Sequence, residues 1–133
     1  MSRGLTNCNP GNIRQSKVRY KGEVRPSRDP AFKQFESLAW GYRAVFMLLH
    51  TYRVRHGLRT IREMISRWAP PSENHTEAYI RAVAAATGID PDEALDTLDP
   101  ATMVPVAAAI SRVENGTAAD RDEIRRGWEL FTT

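Results

Sequence analysis

The chain has 133 residues, 41% hydrophobic and 26% charged, with a formal net charge of +3, which is the size and composition of one globular domain with a modest core. No apolar run approaches the roughly 20 residues that cross a bilayer, and the first residues lack the apolar stretch of a signal peptide. The lone cysteine, Cys8, excludes an intramolecular disulfide and a cysteine-rich zinc site.

Charge is unevenly spread. Residues 1–35 carry eight Lys and Arg against Glu23 and Asp29, whereas residues 36–133 carry eleven against fourteen acidic side chains. A basic segment on a weakly acidic body favours a polyanionic partner, whether nucleic acid, a phosphate-bearing wall polymer or an acidic protein.

Residues 1–36 are dense in turn formers (Asn7, Asn9, Pro10, Gly11, Asn12, Gly22, Pro26, Pro30), and predict an ordered basic loop with one small hairpin, Lys17–Tyr20 being a stretch suited to strand pairing. From Ser37 the pattern changes. Leu38, Tyr42, Val45, Phe46, Leu49 and Tyr52 recur at three- and four-residue steps, predicting a central amphipathic helix that ends near Gly57. Ile61, Met64, Ile65 and Trp68 predict a short helix closed by Pro70-Pro71. Asn74 and Glu77 have capping-box spacing ahead of Tyr79, Ile80 and Val83, with Gly88 as the stop. Asp90, Asp99-Pro100 and Asp120 supply three further start signals. The reading is a mainly α single domain over 1–133, with a basic loop segment at 1–36 and an all-helical body at 37–133. Its core is expected to hold Val45, Phe46, Leu49, Ile65, Ile80, Val83, Val106 and Ile110, joined by a stripe of Ile124, Trp128 and Phe131.

Two stretches carry a resemblance. Arg3-Gly4, Asn7-Cys8-Asn9-Pro10-Gly11-Asn12-Ile13-Arg14 and the later run Trp68-Ala69-Pro70-Pro71-Ser72-Glu73-Asn74-His75-Thr76-Glu77-Ala78-Tyr79 are similar to a module of phage and prophage proteins described as virion-associated or lysozyme-like. The Asn-rich start also resembles a stretch of bacterial cell-wall glucosaminidases. The resemblance covers roughly residues 3–90 and implies a lysozyme-like helical fold and a peptidoglycan substrate. Two departures stand out: Cys8 replaces the usual middle asparagine, and only six residues precede Asn7, whereas the glucosaminidases carry their acid glutamate on a helix well before this stretch.

Glycoside cleavage needs a carboxylic acid positioned to protonate the leaving oxygen, usually with a second carboxylate about 5–9.5 Å away. Glu73, after the rigid Pro-Pro turn, is the first candidate, and Glu36, ahead of the central helix, the second. Each has an alternative reading as a helix-start stabiliser. Glu23 and Asp29 read as solvated surface charges. Asn7, Asn9 and Asn12 suit N-acetyl groups and sugar hydroxyls, and they also suit tight turns. Tyr20, Trp68 and Tyr79 offer stacking faces, and Arg14, Asn74 and Thr76 stand with them in the matching motifs as substrate-binding candidates. No metal or cofactor is expected, since His75 has no second ligand at metal spacing.

The leading expectation is a phage- or prophage-derived protein that binds peptidoglycan glycan strands and cleaves them as a muramidase, glucosaminidase or lytic transglycosylase. It would be made in the cytoplasm without a signal peptide and act at the cell wall or in a phage particle, with virion proteins as further partners. The alternative is a non-enzymatic virion structural component, or a nucleic-acid binder using Arg14, Lys17, Arg19, Lys21, Arg25 and Arg28 on phosphates.

Overall fold

In a computed structural model, which describes residues 1–71 and 75–133, the chain is mainly helical. It opens with a single turn, α1 (Arg3–Thr6), capped by Ser2, whose Oγ accepts from the Leu5 amide. Two short antiparallel strands follow, β1 (Glu23–Val24) and β2 (Gln34–Phe35), with Glu23 opposite Phe35 and Val24 opposite Gln34. An isolated bridge joins Arg14 to Phe32. The strand expectation at Lys17–Tyr20 is corrected. Those residues are not strand, and the Val18 carbonyl is satisfied instead by the Lys33 ammonium and the Arg25 guanidinium, each at 2.7 Å.

The helical body begins at α2 (Leu38–His56), where Ser37 Oγ accepts from the Trp40 amide and Gly57, in the left-handed region at φ 66°, ends the helix. The short helix α3 (Ile61–Trp68) is capped by Thr60 and stops before the two prolines. The next, α4 (Thr76–Thr87), starts behind His75, which makes no side-chain cap bond, and closes on Gly88. Of the predicted capping box, Asn74 lies outside the described residues, and Glu77 pairs with Arg62 at 3.3 Å. Then come α5 (Pro100–Asn115) behind Asp99 and α6 (Arg121–Thr132) behind Asp120, each aspartate accepting the backbone amides the spacing foretold.

The start signal at Asp90 does not produce a helix, so the expectation of an all-helical C-terminal half is corrected. Asp90 accepts from the Asp92 amide in a local turn, and the Leu95 amide bonds to the Arg59 carbonyl. The physical reason is the missing apolar stripe. Leu95 is the sole buried hydrophobic residue between Gly88 and Asp99, too little to hold a helix against the body.

All eight expected core side chains are buried. Helices α2 and α6 pack together through Phe46, whose ring meets Trp128 edge-on at 4.9 Å and Phe131 at 5.9 Å. Tyr42 on α2 reaches Ser111 on α5 through a 2.9 Å hydroxyl pair. No helix among the described residues is long and apolar enough to cross a membrane.

Candidate functional site

The Asn-rich start is a turn held by its own side chains. Asn9 Nδ2 donates to the carbonyls of Ile13 and Lys33, and its Oδ1 accepts from the Ile13 amide, all at 2.9 Å. Asn7, also buried, donates to Asp29, which in addition takes the Arg3 guanidinium at 2.6 and 2.8 Å and the amides of Ala31 and Phe32. The Arg3 guanidinium, with these further donors, holds the Asp29 carboxyl far below the usual carboxylate range. Asp29 is thus a buried hub, not the solvated charge its neighbourhood suggests.

Glu23 is a second such hub and corrects the same expectation. Its side chain is 1% exposed beside a fully buried Lys33 ammonium at 3.1 Å, and Arg25 Nε donates to it at 2.7 Å. Burial pushes the Glu23 carboxyl up, but the donors from Arg25, the Tyr20 amide and Lys33 outweigh it and leave it lowered. Burial likewise lowers the Lys33 ammonium. Both cations also grip the carbonyls of Ser16 and Val18, so this cluster fixes the loop over 16–20 as a rigid wall.

That wall faces helix α3 across a cleft of about 400 Å³. Leu48 and Tyr52 of α2, Arg67 to Pro70 at the end of α3, and Asn12, Arg14, Gln15, Val18, Tyr20 and Phe32 of the N-terminal segment line it. Trp68 is locked in place: its indole Nε1 donates to the Gly11 carbonyl at 3.2 Å. A Cβ on Gly11 would lie 2.6 Å from Trp68 Cζ2, so only glycine lets the indole lie this close.

At the end of the cleft stands Glu114, from the last turn of α5. Its Oε1 accepts from Asn12 Nδ2 at 2.8 Å and its Oε2 from the Tyr79 hydroxyl at 2.9 Å. Burial, then the adjacent Glu114 charge, drives the Tyr79 phenol far above its ordinary value, so it acts as a donor at any ordinary pH. Half-buried Glu114 also borders a second cleft of about 310 Å³ with His75, Ala78, Tyr79, Ala82 and Val113. It is the sole carboxylate among the described residues lining either space. The neighbouring Asn115 ties this helix end to the N-terminal turn, donating to the Pro10 carbonyl at 2.9 Å and accepting from Ser2 Oγ at 2.7 Å.

The predicted residues therefore divide. Asn12, Arg14, Tyr20 and Trp68 line the first cleft, and Tyr79 reaches it through Glu114. Asn7 and Asn9 are buried with their amides engaged in the turn, and Thr76 is buried with its hydroxyl donating to the Ala69 carbonyl. Glu36 is exposed beside the β2–α2 junction and lines neither cleft. Glu73 and Asn74 lie outside the described residues. Among the described residues no three His, Cys, Asp or Glu side chains are grouped to hold a metal ion.

Glu114 went unnoticed in the sequence, although one signal was present. A carboxylate in the final helical turn faces the negative end of the macrodipole and weakens the helix. Such a residue needs a tertiary reason, here Asn12 and Tyr79.

A helical body thus clamps the Asn-rich turn beside a cleft that ends on a carboxylate. No family model matches the sequence. The chain is 39% identical over 132 residues to Protein P5 of Pseudoalteromonas phage PM2, an alignment covering 96% of this chain and 81% of that protein. The chain belongs to the family of that phage protein.

Proposed function

We propose that this chain binds glycan strands of peptidoglycan in the cleft and cleaves them, with Glu114 as the proton donor. The observation that carries this reading is the carboxylate of Glu114, held on each oxygen by one donor at the end of a cleft with aromatic and amide walls. Each oxygen keeps a further lone pair on which to carry the proton that would pass to the leaving-group oxygen. Trp68 and Tyr20 offer faces to sugar rings, and exposed Gln15 offers its amide oxygen to acetamido groups and hydroxyls. In its acid form Glu114 would protonate the glycosidic oxygen as the C1–O bond breaks, and the resulting carboxylate would then take a proton from the attacking hydroxyl.

The order of the chain also fits. The glucosaminidases that the Asn-rich stretch resembles bring their acid from a helix preceding it. Here a helix from the other end of the sequence delivers Glu114 to the same turn through Asn12, 102 residues away. Kinship with a phage protein supports action from a phage particle. Nucleic-acid binding has weaker support, because Arg25 and Arg28 spend their guanidinium donors on Ser16, Val18 and Thr6 carbonyls.

The test is turbidity loss of purified peptidoglycan with mass spectrometry of the released fragments. Glu114→Gln is expected to fold, to bind the wall and to lose cleavage by several orders of magnitude. Glu73→Gln serves as the comparison. Loss on Glu73→Gln with activity retained in Glu114→Gln would reassign the acid, and wild-type protein inert and unbound on several wall types would overturn the reading.

A further inference from the structure

Beside the glycan cleft lies a second space of about 450 Å³ whose ionisable walls are all basic or tyrosine: Arg19, Lys21, Arg43, Arg55, His56 and Arg67 surround it, together with Tyr20 and Tyr52 and without a carboxylate among the described residues. Arg43 is its distinctive member. It projects from the second turn of α2, is 9% exposed, and its Nε is buried without a hydrogen-bond partner. Its guanidinium lies 5.9 Å from the Trp40 ring centroid, a contact that does not neutralise charge. Native proteins rarely bury a cation without an anion, because desolvation costs several kcal/mol per ion. The acidic hub Glu23 is already matched by Lys33 and Arg25. An anion entering this basic space would supply the acceptor that Arg43 Nε lacks.

The two spaces adjoin, with Val18, Tyr20, Leu48, Tyr52 and Arg67 as shared walls. One ligand filling both must be uncharged and sugar-like near Trp68 and Glu114, and anionic near Arg43. A polynucleotide has a charge at every residue and would bring phosphates toward Glu114. A peptidoglycan strand has the required alternation, since its neutral sugars carry peptide stems with free carboxylates. We infer that the Arg43 pocket is a subsite for a carboxylate of the peptide stem, so that the protein selects stem-bearing glycan over bare glycan. This inference rests on the glycan reading above.

Calorimetric titration of the intact chain with two probes tests it: the N-acetylglucosamine–N-acetylmuramic acid disaccharide carrying a tetrapeptide stem, and the same disaccharide without the stem. Wild type is expected to bind the stem-bearing probe about tenfold or more tightly, the worth of one charge-assisted contact. Arg43→Met should erase that preference and leave the affinity for the bare disaccharide unchanged. It should melt no lower than wild type, since it removes a buried unpaired charge. Arg19→Ala/Arg55→Ala, altering exposed side chains outside the glycan cleft, should reduce the same preference and keeps the test open if Arg43→Met fails to fold. Equal affinity of wild type for both probes would overturn the stem subsite and leave the glycan reading standing. Binding of neither probe would overturn both. Tighter binding of a twelve-nucleotide single strand that depends on Arg43 would give the pocket to phosphates and overturn the stem assignment.

Discussion

Glu23 and Lys33 bury opposite charges side by side in a segment that reads, residue by residue, as solvated loop. Removing one member of such a pair strands the other in a dry setting, whereas replacing both with apolar groups avoids that penalty. Lys33→Met is therefore expected to destabilise the fold by about 3–5 kcal/mol and to release the Ser16 and Val18 carbonyls it holds. Glu23→Leu/Lys33→Met should recover much of the loss, and chemical denaturation of the three proteins measures it. None of this was legible from spacing. The nine residues between Glu23 and Lys33 include two prolines, and their meeting depends on the β1–β2 pairing, which is only two residues long in each strand. Glu114 was hidden for a related reason: its partners Asn12 and Tyr79 come from distant parts of the sequence.

Among the elements, helices were legible where a cap and an apolar stripe coincided. Ser37 with the Leu38 to Tyr52 pattern and Gly57 set both ends and the face of α2, and Asp120 with Ile124 and Trp128 set the start and the face of α6. Where the cap stood without a stripe, at Asp90, the chain turned and did not continue. The difference is tertiary burial, since a single capped turn does not repay nucleation. Phe46 shows how much one element depends on another: it anchors α2 to α6 through two rings and is 1% exposed. Phe46→Ala should cost about 3–5 kcal/mol, measurable as a lower denaturation midpoint with unchanged slope. The small hairpin expected in the first 36 residues is present, but its strands could not be placed at Glu23–Val24 and Gln34–Phe35 because ladders so brief impose no alternating pattern.

Across the whole molecule the four tyrosines share one electrostatic fate. Burial raises Tyr52 to about 12 and also lifts Tyr20, Tyr42 and Tyr79 above their ordinary value. Unfolded, they would ionise near pH 10. A raised folded value means that the folded protein keeps protons the unfolded chain has lost, so stability is intact below about pH 10 and falls as pH rises through the tyrosine values. Absorbance at 295 nm should show tyrosine ionisation delayed in the native protein and merging with alkaline unfolding. A normal titration of all four side chains near pH 10 with the fold intact would contradict this burial.

The bonds joining Ser2 to Asn115, Asn12 to Glu114 and Pro10 to Asn115 span 113, 102 and 105 residues. Such spans have a meaning in time as well as in space. A ribosome adding roughly 5–20 residues per second needs on the order of ten seconds to reach the partners of the first turn. The Asn-rich turn is thus made well before it can be secured, and contacts so remote in sequence are slow to form. Until α5 emerges, Glu114 and Asn12 are not both present. The nascent protein therefore stays without its cleft while it is being synthesised, and a product cut short before α5 would carry the Asn-rich turn but none of the proposed chemistry.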